Sequence, residues 1–136
     1  MKRWLLDSSA LLAFWLGEPD SVRVSEILAN SESEILICSL SFAEAGRKSI
    51  ELGATELETN KTLDLFKSIA TEIVVVDEAI ARLSLHLSQN SAVRLPFADS
   101  LIAACAHAKN ATLLHRDKHF LGISAAMLQQ EMLGTQ

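Results

Sequence analysis

Four acidic side chains stand where a chain could do chemistry with them. Asp7 closes the short apolar run from Arg3 to Leu6, and Glu44 lies in the stretch SLSFAEAGRK. Asp99 follows shortly after Pro96, and Asp117 lies just beyond the apolar run Ala111 to Leu114. Two carboxylates about 5 Å apart repel by roughly 3 kcal/mol at an effective dielectric of 20, so a gathered, partly desolvated group needs compensation. Raised pKa values are one answer and a divalent cation is the other. Oxygen ligands without an accompanying Cys/His set favour Mg²⁺ or Mn²⁺ over Zn²⁺. Such ions activate water and stabilise phosphoryl charge during phosphodiester cleavage. Each acid taken singly has an ordinary structural use: Glu44 and Asp99 suit helix N-termini, Asp7 can cap a helix and Asp117 can make a turn. Their joint placement, with Asp7 and Glu44 in otherwise apolar stretches, argues for the chemistry.

The elements that must position these acids follow from the apolar patterning. Arg3 to Leu6 reads as a buried strand, and Ser8 or Ser9 can cap a helix through Leu16, stopped by Gly17, Glu18 and Pro19. Asp20 then caps a helix covering Val22, Val24, Ile27 and Leu28. Ile35 to Cys38 is a second strand, with Ser39 and Ser41 available to cap a helix that ends at Gly53. The segment Thr55 to Ile69 repeats Leu, Phe and Ile at helical spacing and pairs with the preceding helix as a hairpin. Ile73 to Val76 is wholly β-branched and reads as a strand closed by Asp77. A helix through Leu83, Leu85 and Leu87 breaks at Asn90 and Ser91, and Pro96 opens the helix that carries Asp99. Ala111 to Leu114 is a fourth strand, and Ser124 to Leu133 is expected to be helical. Strands alternating with helices indicate parallel β-α units with right-handed crossovers, so helices cover both faces of the sheet. In such open sheets ligands sit beyond the carboxyl ends of strands, where Asp7 and Asp117 are expected.

Bulk properties bound the rest. A chain of 136 residues, 49% hydrophobic and 21% charged, has the length and composition of one folded domain with a self-sufficient core. Aromatics are few and Tyr is absent, so that core must come from Leu, Ile, Val and Ala. A net charge of −5 argues against coating nucleic acid by long-range attraction alone, yet bound cations can reverse the local sign of an acidic cluster. Cys38 and Cys105 lie in apolar contexts without metal-type spacing and read as buried free thiols, which suits a cytoplasmic protein. Lys2 and Arg3 ahead of apolar residues imitate a signal peptide, but Asp7, Ser8 and Ser9 interrupt the apolar segment. No run approaches the ~18 apolar residues of a membrane span.

Three stretches, LLDSSALLAFWLGEP, SLSFAEAGRK and LPFADSLIAACAHAKNATLLHRDKHF, stand in this order along the chain. Together they resemble the PIN-domain ribonucleases, particularly the VapC-like toxins of bacterial and archaeal type II toxin-antitoxin pairs. The resemblance spans essentially the whole chain. It implies a single PIN-like α/β domain over residues 1–136, with a central four- or five-stranded, mainly parallel sheet. It further implies a metal-dependent endoribonuclease in which Asp7, Glu44 and Asp99 form the primary Mg²⁺ or Mn²⁺ cluster. Asp117 contributes directly or through water, and Ser8 is the small polar neighbour of the first Asp. Hydrolysis of RNA by activated water, assisted by one carboxylate, would leave a 5′-phosphate and a 3′-hydroxyl. A homodimer and a cognate antitoxin protein are the associations the resemblance implies. One position departs from the pattern: where many relatives carry Thr or Ser two residues before the last Asp, this chain has His115. That leaves the hydroxyl's support role vacant or transfers it to the imidazole.

Other readings compete at other residues. His115 and His119 have a spacing found in zinc sites, but they span a strand end and a turn, so His119 is read as flanking the acidic site and His86 and His107 as ordinary helix residues. Ser8 and Ser9 lie in no nucleophile elbow. Arg116 and Lys118 are candidates for meeting RNA phosphates, as are Arg47, Lys48 and Arg94, with solvated surface charge as the alternative. Phe14, Trp15 and Phe42 serve either the core or an apolar partner groove. A phosphatase-like or receiver-like domain with a phosphate-accepting Asp lacks its second acid, because Ser9 stands in that place. A noncatalytic PIN-like module that binds RNA or protein is the stronger alternative, since a fold does not guarantee turnover.

Overall fold

Trp4, Leu5 and Leu6 project alternately to opposite faces of a strand, and all three are buried, so β1 (Lys2–Leu6) must be covered on both sides. The computed structural model describes residues 1–134 and shows how. The last two residues of the expected 1–136 domain lie outside the described residues. The chain continues as α1 (Ser8–Trp15), α2 (Ser21–Ala29), β2 (Ser33–Cys38), α3 (Ser39–Glu51) and α4 (Glu56–Ile69). It then forms β3 (Glu72–Val74), α5 (Glu78–Gln89), α6 (Phe97–Ala108), β4 (Thr112–His115), a 3-10 turn at Lys118–Gly122 and β5 (Gln130–Met132). The five strands make one wholly parallel sheet in the order β3-β2-β1-β4-β5.

The two cores follow from strand alternation. Leu5, Leu36, Val74 and Leu113 face α5 and α6 and pack with Ile80, Leu87 and Ile102. Trp4, Leu6, Ile35, Ile37 and Leu114 face the other way and meet α1 to α4 through Leu11, Val24, Ile27, Ala45 and Phe66. Cys38 and Cys105 are free and buried, with their sulfurs 3.5 Å apart between β2 and α6. No helix among the described residues is long and apolar enough to cross a membrane.

The chain leaves β1 towards β2 and β3, then crosses back over the sheet to lay β4 on the other side of β1. Connections therefore diverge between β1 and β4, which is where a doubly wound sheet opens a crevice at its carboxyl edge. The amide of Asp7 donates to Leu114 O at 3.2 Å and holds the two strand ends together there.

Several expectations are corrected. Ser124 to Leu133 is not a helix: a turn leads into β5, which pairs with β4 in the register Leu113↔Gln130 and His115↔Met132. The unpaired outer edge of β4 offers backbone partners that outweigh the weak helical spacing of Leu128 and Leu133. Strand β3 spans Glu72–Val74 instead of Ile73 to Val76, because its partner β2 ends at Cys38, opposite Val74, where the chain turns into α3. Asp7, not Ser8 or Ser9, caps α1, accepting from Ala10 N at 3.0 Å. Asp20 takes the cap position of α2 without a side-chain bond, and α3 starts from Cys38, not from Ser39 or Ser41. The stops at Gly17 and Gly53 hold, at φ of 65° and 104°, in the region glycine enters freely.

Candidate metal centre

The crevice between β1 and β4 collects carboxylates from four elements. Asp7 stands at the tip of β1 and is buried. Its Oδ1 accepts from the Ser9 hydroxyl at 2.6 Å and from Ala10 N at 3.0 Å. The cap role and the site role thus fall on one side chain: the helix end orients the carboxylate and its N–H dipoles favour the charged form. Burial still wins, aided by the charges of Asp99 and Glu44, and pushes the Asp7 carboxyl up to about 7.

Asp99 sits in the first turn of α6, after Pro96 has set the helix entry. Burial and then the charges of Asp117 and Glu44 push it up to about 6. Glu44 projects from α3 and is raised by burial, which Arg47 and the Ser8 hydroxyl oppose. Its Oε1 is buried with no hydrogen-bond partner. Asp117 follows β4, and although burial opposes it, the backbone N–H and imidazole of His119 hold its carboxyl below the usual range. The distances are 2.9 Å from His119 N and 2.7 Å from His119 Nδ1 to Asp117 Oδ1.

The four acids named from the sequence therefore lie near one another: Asp7 feels the charges of Asp99 and Glu44, and Asp99 those of Asp117 and Glu44. Ligand atoms of Asp99, Asp117 and His119 all lie within 4.8 Å of one another. His119, read from the sequence as a flanking residue, touches the acids directly. An oxygen-rich donor set, an orphaned carboxylate oxygen and two carboxyls held well above their ordinary pKa are what a hard divalent cation would relieve. The residues present fit such an ion.

The supporting residues are redistributed. Ser9 rather than Ser8 bonds Asp7, and its oxygen also accepts from Arg116 N at 3.1 Å, tying α1 to the end of β4. Ser8 lies beside Glu44 instead. The spacing Asp-x-Ser at a strand end was a legible signal for Ser9, since a hydroxyl two residues on can turn back to the carboxylate. His115 is fully buried; its Nδ1 accepts from Asp117 N at 3.0 Å and its Nε2 lies 2.9 Å from Gln130 Oε1. Burial holds its imidazole below the usual His range, against the pull of Gln130 and Asp117. Gln130 escaped the sequence reading because it belongs to the strand read as a helix.

The basic candidates separate. Arg116, Lys118 and Arg94 are all exposed, and Arg116 is engaged by Glu18 and Asp20, both at 3.2 Å. Arg47 and Lys48 lie one turn along α3 from Glu44 and line, with Ser8, Ser9 and Leu12, a cleft of about 270 Å³ that adjoins the acids. Trp15 packs edge-on against Phe66, with centroids 6.4 Å apart, and Phe42 lines a separate, largely apolar depression with Leu63 and Ile73.

Residues 4–125 match the family model described as PIN domain. Among solved structures the chain is similar to VapBC2 from Rickettsia felis bound to a DNA fragment from their promoter, at 23% identity and TM-score 0.76, covering 96% of this chain and 98% of that one. It is similar to VapBC-1 from nontypeable Haemophilus influenzae, at 16% identity and TM-score 0.72, over 96% and 97% of the two chains. A third is VapBC-5 from Mycobacterium tuberculosis, a member of the VapBC family of toxin-antitoxin systems, at 22% identity and TM-score 0.64, over 99% and 100%. No curated protein matches the chain by sequence.

Proposed function

We propose that this chain, which belongs to the PIN domain family, is a Mg²⁺- or Mn²⁺-dependent endoribonuclease and the toxin of a toxin-antitoxin pair. The observation that carries the reading is the convergence of Asp7, Glu44, Asp99 and Asp117 at the sheet's crevice, with two of these carboxyls pushed up to about 7 and about 6. A structural use for any one acid would not bring four together at a desolvation cost. Asp7, Glu44 and Asp99 would hold the ion, with Asp117 and His119 beside them. The ion, when bound, would supply charge neutralisation at the phosphate and a lowered pKa for water.

The chain's own residues do the rest. Ser9 and the first turn of α1 fix the orientation of Asp7. Asp99, in the first turn of α6, presents its carboxylate 3.8 Å from His119 Nδ1. Arg47 and Lys48 bind phosphates of the strand along α3. A Lys48→Gln change is expected to weaken RNA binding and to lower the slope of log K against log salt by about 0.7, as for one phosphate contact on a single strand. Arg116→Gln leaves that slope unchanged, since Glu18 and Asp20 already neutralise this guanidinium. Fluorescence anisotropy with a labelled single-stranded RNA across a salt series separates the two.

Two associations complete the proposal. The similar structures are those of VapBC complexes, which supports an antitoxin partner, and exposed Trp15, Leu16 and Val22 offer apolar surface for a partner or a second copy. The cytoplasm is the compartment that suits two free buried thiols.

The direct test is cleavage of total RNA by highly purified protein, with and without divalent cation, followed by mapping of the ends. Products with 5′-phosphate and 3′-hydroxyl ends are expected with Mg²⁺ or Mn²⁺ and are abolished by a chelator. Binding of RNA without cleavage at any divalent ion concentration would return the noncatalytic module in its place.

A further inference from the structure

We propose that Gln130 and His115 form a positioning pair that fixes the backbone at Asp117 through a single imidazole tautomer, so that placement of the fourth carboxylate depends on the edge strand β5. The role at the metal rests on the reading above; the hydrogen-bond chain does not.

The polarity of the chain is decided by backbone groups at its two ends. The Phe120 carbonyl can only accept and lies 2.8 Å from Gln130 Nε2, so the amide nitrogen of Gln130 faces it. Gln130 Oε1 then faces His115 and can only accept, so His115 Nε2, 2.9 Å away, carries a proton and donates. At the other side of the ring the Asp117 amide can only donate and lies 3.0 Å from Nδ1, which therefore carries none. Only the neutral, Nε2-protonated imidazole satisfies all three bonds. With His115 wholly buried and its ring 4.6 Å from that of Phe120, any other protonation pattern leaves an unpaired group out of water.

Strand β5 is secured at several points. Leu133 N donates to His115 O at 2.6 Å, and the carboxylate of Glu131 receives two bonds, at 2.7 and 2.9 Å, from Arg23 on α2. The guanidinium of Arg23 lies 5.5 Å over the Trp4 ring. Gln130 thus sits in a strand anchored from both sheet and helix, and its amide reaches the buried imidazole of His115. The Asp117 amide is held by His115, and the Asp117 carboxylate accepts from the next turn at His119 N, so both ends of this residue are pinned. A hydroxyl at position 115 would accept the same amide bond by rotating; an imidazole cannot, and needs Gln130 to select its tautomer.

Long-range ¹H–¹⁵N NMR of the metal-free protein at pH 7.5 is expected to show an unprotonated Nδ1 and a protonated Nε2 for His115. In Gln130→Leu the tautomers mix, the Asp117 amide proton moves upfield, and Mn²⁺ affinity by calorimetry falls about 10-fold, as for the loss of a partner to a metal ligand. Gln130→Met, which keeps the length of the side chain but offers His115 Nε2 no oxygen acceptor, gives the same losses and serves if the leucine variant does not fold. In a His115→Thr background, Gln130→Leu should leave Mn²⁺ affinity unchanged, because the hydroxyl needs no tautomer selected. A drop of equal size in both backgrounds would mean that Gln130 merely holds β5, and it would overturn the proposal, as would an Nδ1-protonated ring in the unmodified protein. If the unmodified protein binds no Mn²⁺, the metal-site reading fails, while the ring spectrum and the Asp117 amide shift still decide the positioning pair.

Discussion

Replacing Asp7 by Asn should make the metal-free protein more stable at pH 8 while reducing metal-dependent RNA cleavage by at least about 100-fold. The lower bound on activity follows because even groups that only support metal ligands account for about 10- to 100-fold. The stability gain follows from the cause of the raised pKa. Asp7 moves from 3.8 to about 7, chiefly through burial, so its charged form is disfavoured in the folded state. A shift of that size corresponds to about 4 kcal/mol between the two protonation states, and Asn recovers part of it. Its amide oxygen can keep the bonds from Ser9 and Ala10, so the cap survives. A raised carboxyl contributes stability below its unfolded pKa and loses it as pH climbs through the folded value. The melting temperatures of variant and parent should therefore coincide near pH 4 and separate by several degrees between pH 4 and 8. Thermal melts in chelator across this range read the gap. A gap that is constant with pH would show that Asp7 is not held against its charge, and full cleavage by the variant would remove it from the site.

The second large effect is the response of stability to metal. At pH 8 an excess of about 100 times Kd of Mn²⁺ should stabilise the fold by about 2.7 kcal/mol, whatever the affinity. At pH 5, with the same total Mn²⁺, the stabilisation should nearly vanish. The sign comes from competition: Asp7 and Asp99 hold protons up to about 7 and about 6, and an ion must displace them to bind. Apparent affinity then rises with pH through that window and levels off above it. Titration calorimetry in buffers of different ionisation enthalpy should count between one and two protons released per ion near pH 6 and almost none at pH 8.5. Equal stabilisation at pH 5 and pH 8 would show that the ion binds elsewhere than between these carboxyls.

Much of the centre was legible because its signals are local. An apolar run that ends on an acid marks a buried strand with a carboxylate at its tip, as at Asp7, and Pro96 announces the helix turn that presents Asp99. Alternating strands and helices imply a parallel sheet, and a parallel sheet implies a crevice at its carboxyl edge. These rules act over a few residues or follow from connection order, so a single chain carries them in full. The one wrong element, the helix expected over Ser124 to Leu133, fails where spacing is weak and a free strand edge is near.

What composition and pattern determined by themselves, then, is the order of elements as far as β4, their burial on two faces and the placement of Asp7, Asp99 and Asp117 at element ends. Only the folded molecule decided the partners. Arg116, a candidate for RNA, pairs with Glu18 and Asp20. Ser9 rather than Ser8 took Asp7, His119 joined Asp99 and Asp117, and Gln130 closed on His115. The physical reason is separation along the chain: Arg116 meets Ser9 across 107 residues and Arg23 meets Glu131 across 108, distances over which no periodicity or cap rule reaches. Sheet order sets those meetings, and hydrogen-bond polarity then selects among the groups that sheet order has brought into reach.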